Sequence, residues 1–149
     1  MRSAFALPAF SLALLSVVAV ALGDTRGYTV VANESNPVSS IATADLARMF
    51  MKTVKRWDNG TPVEPIDQSF EAPVRAQFSR SVLGKSAVQV QEYWLRETYS
   101  GREIPPPVRG SDAAVLEFVR ANPGAIGYVS ASTSLPSGVK ALTVTGGAQ

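Results

Sequence analysis

Two polar segments carry the side chains of this sequence that could bind a small molecule. Asn33 and Ser35 follow a β-rich run, whereas Gln68 and Ser69 precede an amphipathic run. Amide and hydroxyl groups beside a helix N-terminus suit an anion, because the helix offers unpaired N–H donors and the positive end of its dipole. Arg75, one turn into the second run, could pair with the same anion through two parallel hydrogen bonds.

Each of these residues also has a purely structural interpretation. Ser69 is of a type that commonly caps helices, and capping is the stronger expectation for it. Arg75 suits a solvated or salt-bridged position on its helix, and Asn33 and Ser35 together suit a simple turn. A scaffold hypothesis therefore stands beside the ligand-binding hypothesis for the same side chains.

Two carboxylates in the second segment raise a catalytic alternative. Asp67 and Glu71 could flank a cleft as acid and base, or simply complement the dipole of the helix that follows. The 149-residue chain contains no His and no Cys, which excludes a Cys/His zinc site, a cysteine nucleophile and a Ser-His-Asp triad. We therefore predict that the protein is not an enzyme and has no catalytic residue, metal or cofactor, with a carboxylate-dependent hydrolase as the least favoured function.

The start of the chain has the layout of a secretory signal peptide. Arg2 precedes an uncharged run of Ala, Leu, Val, Phe and Ser, and small residues end that run. We predict a signal peptide over residues 1–23, one domain over residues 24–149 and no stable membrane insertion after cleavage; an uncleaved anchor is the alternative. The lack of Cys favours the periplasm over a disulfide-rich secreted scaffold. A net charge of +2 for the whole chain is too weak to suggest a nucleic-acid surface.

Hydrophobic periodicity predicts that strands and helices alternate in the rest of the chain. Thr43 is expected to cap the first helix, Ser86 to open the third with a capping box, and Ser111 or Asp112 to cap the fourth. This alternation predicts an α/β domain whose sheet is mixed and mainly parallel, with helices on both faces. Strands are expected near 28–32, 63–66, 125–129 and 142–144, and helices near 43–54, 71–83, 86–100 and 111–121.

Three segments in this order resemble one protein family. They are residues 46–50 with 57–60, residues 74–78, and residues 119–129. The last segment contains the run Pro-Gly-Ala-Ile-Gly-Tyr, which is the most specific of the motifs. Together they resemble the phosphate-binding proteins of ABC importers and the shorter relatives of those proteins. The resemblance extends over nearly all of the chain that follows the predicted signal peptide.

The resemblance implies both a fold and a function. The implied fold is a single periplasmic-binding-protein-like (type II) lobe, and the implied function is binding of a small oxyanion such as phosphate, linked to ABC-type uptake through a permease. In the family the anion is held by backbone N–H groups, hydroxyls and an Arg. A full binding protein has two lobes that close on the ligand, whereas this chain has the length of one, so a homodimer is one way to complete a cleft. The residues of this sequence that the resemblance implies as ligands are Asn33, Ser35, Gln68, Ser69 and Arg75.

The second polar segment departs from the family pattern. The full binding proteins of the family carry an Arg in this segment, followed by a Ser-Gly-Thr element. This sequence has no Ser-Gly-Thr, and Asp67 or Gln68 falls near the place of the Arg. Pro73 lies near the place of the Ser-Gly-Thr element and removes one N–H donor. Asp67 and Glu71 add negative charge where a phosphate dianion would sit. These departures favour an alternative in which the fold is kept, the ligand is lost, and the domain acts as an interaction or regulatory module on a protein partner.

Overall fold

The computed structural model describes residues 27–147, so the predicted signal peptide at 1–23 lies outside the described residues. The helices are α1 (Thr43–Phe50), α2 (Pro73–Phe78), α3 (Ala87–Tyr99) and α4 (Asp112–Ala121), and a π-helical segment, Ser79–Leu83, continues α2. The strands are β1 (Tyr28–Asn33), β2 (Ser40–Ala42), β3 (Glu64–Pro65), β4 (Asp67–Gln68), β5 (Val108–Arg109), β6 (Ala125–Ser130), β7 (Val139–Ala141) and β8 (Thr143–Thr145). Among residues 27–147, no helix has the length and apolarity that crossing a membrane requires.

A mixed sheet with the strand order β3-β6-β1-β7 lies at the centre of the fold. The central strand β1 runs antiparallel to both β6 and β7, while β3 runs parallel to β6. Two short parallel ladders, β2 with β8 and β4 with β5, extend the fold beyond this sheet. The mixed sheet and its helices confirm the predicted α/β class, but the central sheet is mainly antiparallel and not mainly parallel, because β1 pairs with both its neighbours in the antiparallel direction.

Helices cover both faces of the central sheet, as the sequence predicts. Alternate residues of β1 point to opposite faces: Tyr28 and Val30 belong to one apolar core, and Val31 belongs to the other. Helices α1 and α2 bury Leu46, Phe50, Val74 and Phe78 in the first core. Helix α4 buries Val115, Leu116 and Val119 in the second core.

Helix α4 approaches the sheet closely because β6 carries a glycine beneath it. A Cβ on Gly127 would lie 2.7 Å from Cγ2 of Ile66 and 2.9 Å from Cγ1 of Val115, closer than side-chain carbons tolerate. Just before the same strand, a Cβ on Gly124 would overlap the carbonyl oxygen of Pro62. Both glycines of the Pro-Gly-Ala-Ile-Gly-Tyr run are therefore required by close packing.

The helix termini agree with the sequence in part. Ser86 accepts from the backbone N–H of Gln89, whose side chain accepts from the N–H of Ser86, which confirms the predicted capping box. Ser111 caps α4 by accepting from the N–H of Ala114. The expectation that Thr43 caps α1 is wrong, because the residue at the cap is Ala42 and the Thr43 hydroxyl donates instead to the carbonyl of Thr145.

Two helices are shorter than the periodicity predicts. Helix α1 ends at Phe50, and Lys52 follows it in the left-handed region at φ 58°. The run expected to be one helix over 71–83 starts at Pro73, which occupies the first turn as expected, and changes to π-helix at Ser79. Gly84, at φ 62°, supplies the left-handed residue that ends it.

Candidate functional site

Polar side chains converge where β4 and β6 end and α4 begins. The Nε2 group of Gln68 donates to the carbonyl of Tyr128 at 3.0 Å and to Oδ1 of Asp112 at 2.6 Å. Asp67 precedes Gln68 on β4, and Arg75 reaches the same place from α2. We call the set Asp67, Gln68, Arg75, Asp112 and Tyr128 the binding edge, because open α/β sheets place ligands beyond the ends of their strands.

Arg75 and Asp67 form a buried ion pair at the binding edge. Nη2 of Arg75 lies 3.2 Å from Oδ2 of Asp67, and both side chains are about nine-tenths buried. Nη1 of Arg75 donates to the carbonyl of Gln68 at 2.9 Å, whereas Nε is buried and meets no acceptor within the described part of the chain. The positive charge that an anion would seek is therefore already neutralised by the protein.

Tyr128 holds the other side of the Asp67 carboxylate. The phenol hydroxyl donates to Oδ1 of Asp67, and the ring stacks on Phe78 with centroids 3.9 Å apart. Burial, followed by the charge of Asp67, raises the pKa of Tyr128 far above its usual value, so the hydroxyl stays protonated and remains a donor. The backbone N–H of Gln68 also donates to Oδ1 of Asp67, at 2.8 Å.

Asp112, in the first turn of α4, ties this helix to the ends of β4 and β6. Besides Gln68, its carboxylate accepts from the N–H of Ser130 at 3.2 Å and from the hydroxyl of Thr133 at 2.7 Å. Burial acts to raise the pKa of Asp112, but these hydrogen bonds together outweigh it and hold the pKa below its usual value. Asp112 is therefore an ionised acceptor at neutral pH and fixes Gln68 in place.

Two further candidate groups lie at or near this edge. Ser69 is half-buried, and a Cβ on Gly110 would lie 3.9 Å from its hydroxyl oxygen. The expectation that Ser69 caps a helix is wrong, because Ala72 occupies the cap of α2 without a side-chain bond, and Ser69 only accepts from the N–H of Ala72 through its carbonyl. Arg109, on β5 beside Gln68, turns its guanidinium over the ring of Phe118.

Asn33 and Ser35 lie at the opposite end of the sheet. Ala32 pairs with Ile126 near the start of β6, and Asn33 is the next residue of β1. Measured along the strands, Asn33 therefore lies about 10 Å from Tyr128. The Nδ2 group of Asn33 donates to the last carbonyls of α4, those of Val119 and Arg120, at 2.9 and 3.0 Å.

The turn expected at Asn33 and Ser35 is confirmed. Oδ1 of Asn33 accepts from both the N–H and the hydroxyl of Ser35, at 3.0 and 2.7 Å. The polar atoms of the Asn33 side chain are therefore engaged in holding this turn against α4. The structure brings Gln68, Ser69 and Arg75 together but does not bring Asn33 and Ser35 to them.

Two members of the binding edge were missed in the sequence. In the sequence Tyr128 is only the last residue of the Pro-Gly-Ala-Ile-Gly-Tyr run, and nothing near it indicates a polar partner. Asp112 was interpreted only as a helix cap. A carboxylate in the first turn of a helix after a short loop was the available signal, but its partners Gln68 and Thr133 are far away in sequence.

The binding edge has little of what acid–base or metal chemistry needs. Asp67 is enclosed by Arg75 and Tyr128, whereas Glu71 is exposed on the following turn. Among residues 27–147, no group of three or more His, Cys, Asp or Glu is placed to hold a metal ion. What the edge can do chemically is donate and accept hydrogen bonds.

Several solved proteins share this fold. A protein from Clostridium perfringens described as a phosphate ABC transporter substrate-binding protein, with bound phosphate, superposes with a TM-score of 0.63 at 17% identity over 79% of this chain and 44% of its own. An ABC-type phosphate transport receptor from Vibrio cholerae gives 0.60 at 20% identity over 79% and 46%. PstS from Borrelia burgdorferi gives 0.61 at 16% identity over 80% and 47%. At such identities the likeness concerns the fold alone.

The chain spans less than half the length of these solved neighbours. No curated protein matches the sequence. Residues 25–148, which are most of the chain, match the family described as PBP superfamily domain, in agreement with the resemblance that the three sequence segments predict. This chain therefore belongs to the family of PBP superfamily domains.

Proposed function

We propose that this protein is an exported, non-catalytic recognition module, a single PBP-type lobe that binds a protein partner and does not capture free phosphate. The ion pair between Arg75 and Asp67 is the observation that carries the proposal. The carboxylate of Asp67 occupies the place on the guanidinium that an anion would take. The proposed export to the periplasm rests on the signal-like sequence at 1–23.

The energetics of the binding edge support this choice. A phosphate that displaced Asp67 from Arg75 would leave a second negative charge nine-tenths buried beside it. Breaking a buried pair by removing one partner costs about 3–5 kcal/mol, because the remaining charge is uncompensated. The Tyr128 hydroxyl and the Gln68 N–H also donate to Asp67, so neither is free to bind an anion.

Oxyanion binding linked to ABC-type uptake is the second candidate function. The phosphate named for the Clostridium perfringens and Vibrio cholerae proteins favours it, as does the polar character of the edge. In this candidate Gln68, Ser69 and Arg75 contact the anion and a permease receives it. Asn33 and Ser35, at the other end of the sheet, would need to act at a separate place.

Calorimetric titration with phosphate and then sulfate separates the two candidates. The chain beginning at Asp24 is suitable, since both apolar cores lie within residues 28–142. We expect no saturable heat with either anion. The Clostridium perfringens protein, solved with bound phosphate, serves as the positive control. Saturable binding near one phosphate per chain, abolished by Arg75→Met in a protein that remains folded, would overturn the proposal.

A partner-binding role also makes a positive prediction. Chemical cross-linking in intact cells, followed by mass spectrometry of the tagged chain, is expected to return a specific protein, either a second copy of the chain itself or another exported protein. Cross-links confined to a permease complex, and strengthened by added phosphate, would instead favour the uptake candidate.

A further inference from the structure

An apolar groove adjoins the binding edge on the side of α3. It encloses about 400 Å³ between Leu95 and Tyr99 of α3 and the chain at Pro105 and Val108. Arg75 also lines it, so the groove and the binding edge share a side chain. The β5 residue Val108 is 47% exposed although it is apolar, which leaves the groove open to solvent.

The exposed face of α3 continues this apolar surface along the helix. Val88, Leu95 and Tyr99 are 52%, 51% and 88% exposed. Their spacing of seven and then four residues places them on one stripe, nearly opposite the buried residues Val90 and Trp94. Exposed apolar side chains grouped on one face of a domain often mark an interaction site.

We infer that the α3 stripe and the adjoining groove bind a second copy of this chain, with the two α3 helices antiparallel about a two-fold axis. This inference rests on the proposed function, because it names the partner that the recognition module binds. The chain spans 44–47% of the length of its solved fold neighbours, so a second copy restores roughly their size. Such an isologous contact must be complementary to itself.

The charges beside the stripe meet this requirement. Glu92 and Arg96 lie one turn apart on the same flank of α3. Within the described residues neither side chain forms an ion pair. In an antiparallel pair centred on Trp94, Glu92 of one copy lies level with Arg96 of the other, and the symmetry repeats the contact.

The apolar contacts fit the same arrangement. Tyr99, near the C-terminal end of α3, comes opposite the N-terminal half of the other helix, where Val88 and Gln91 are uncharged. A capping box at Ser86 fixes the start of the helix, so the stripe is presented on a rigid element. Tyr is among the residues that most often dominate the energy of an interface.

Sedimentation velocity over a wide range of concentrations tests the inference on the chain from Asp24. We expect a reversible dimer whose dissociation constant rises about 30-fold or more in Leu95→Glu or Tyr99→Ala, the effect of losing an interface hot spot. Both side chains are half-exposed or more, so the variants should stay folded, which far-UV circular dichroism checks.

A charge exchange gives a second and more specific readout. Glu92→Arg and Arg96→Glu, each alone, should weaken the dimer, and the two together should restore it. The matched control is the same exchange at Asp45 and Arg48, an exposed ion pair on α1, which should leave the dimer unchanged. A wild type that stays monomeric at every concentration overturns the inference, as does a dimer that is insensitive to Leu95→Glu and to the exchange. Either result leaves the calorimetric test of anion binding unaffected.

Discussion

Arg75 is the residue that connects the polar groups of β4 at the binding edge. Its guanidinium bonds Asp67 and the carbonyl of Gln68, and its side chain is nine-tenths buried. The unsatisfied Nε indicates that this arrangement is not ideal for the arginine alone. What it achieves is to hold a carboxylate inside the protein.

Replacing Arg75 alone should lower the free energy of unfolding more than replacing both Arg75 and Asp67. We predict that Arg75→Met lowers the free energy of unfolding by about 3 kcal/mol or more, because the Asp67 carboxylate is left buried and unpaired. The double variant Asp67→Asn, Arg75→Met should lose less than Arg75→Met alone. Urea unfolding measures both values. Arg80→Met, at an exposed position of the following π-helical segment, is the control and should change stability by no more than about 0.5 kcal/mol. A similar small effect of Arg75→Met would contradict the account.

Asn33 is assigned to the scaffold by its contacts. We predict that Asn33→Ala lowers the free energy of unfolding by about 1–2 kcal/mol, since two carbonyls of α4 and two donors of Ser35 lose their partner. Ser35→Ala removes one exposed hydroxyl and should have a smaller effect. Chemical unfolding of the two variants side by side is the measurement, and equal losses would speak against the capping role of Asn33.

Side-chain chemistry could be predicted from the sequence only where its partners are local. The turn at Asn33 and Ser35 and the box at Ser86 and Gln89 involve residues two or three positions apart, and both are confirmed. The bond between Asp67 and Tyr128 joins residues 61 positions apart. No local pattern encodes such a contact, because it arises only when β4 and β6 are placed side by side.

At the scale of elements, β6 and α4 are fitted to each other through Gly127. We predict that Gly127→Ala lowers the free energy of unfolding by about 1–3 kcal/mol, because the new methyl group overpacks Ile66 and Val115. Thermal or urea unfolding provides the value. Val115→Ala removes the Cγ1 atom that lies 2.9 Å from the new Cβ. Added to Gly127→Ala, it should therefore recover part of the lost free energy of unfolding. Additive losses would show that the crowding lies elsewhere.

The start of α4 should respond to acid through Asp112. Its pKa in the folded chain is lowered, so its ionised form stabilises the fold above the unfolded value of about 3.9. We predict that the stability difference between the wild type and Asp112→Asn is constant from neutral pH down to about pH 5. The difference should then shrink as the pH falls through the lowered pKa. Urea unfolding across this range measures it, and a difference that grows in acid would reverse the sign and refute the role.

Long elements with strong patterns were predictable, whereas among the short strands only β3 and β8 lie at expected places. β1, β6, α3 and α4 lie close to their expected places because each presents a continuous apolar run or a clear cap. β4, β5 and β7 contain only two or three residues, and tertiary pairing defines them. The antiparallel direction of β1 against β6 could not be predicted from alternation of strands and helices, and it is what separates Asn33 from Gln68.

At the scale of the whole molecule, the chain has the fold of a single lobe, and the surface beside α3 is exposed to solvent. Its apolar groove and the α3 stripe lie beside a binding edge whose arginine is already paired with Asp67. A PBP superfamily domain is therefore combined with a site whose arginine already pairs with a carboxylate of the same chain. Recognition would then shift from the ends of the strands to the face of α3.

The most direct test of this account is a phosphate titration of the chain from Asp24 followed by NMR. The resonances to observe are the backbone amides of Ser69, Gly110 and Ser111 and the Nε–H of Arg75, which together surround the binding edge. The account predicts no saturable shift at any of them, because Asp67 already occupies the guanidinium of Arg75. Saturable shifts at these groups, absent with chloride at the same ionic strength, would contradict it and identify the edge as an anion site.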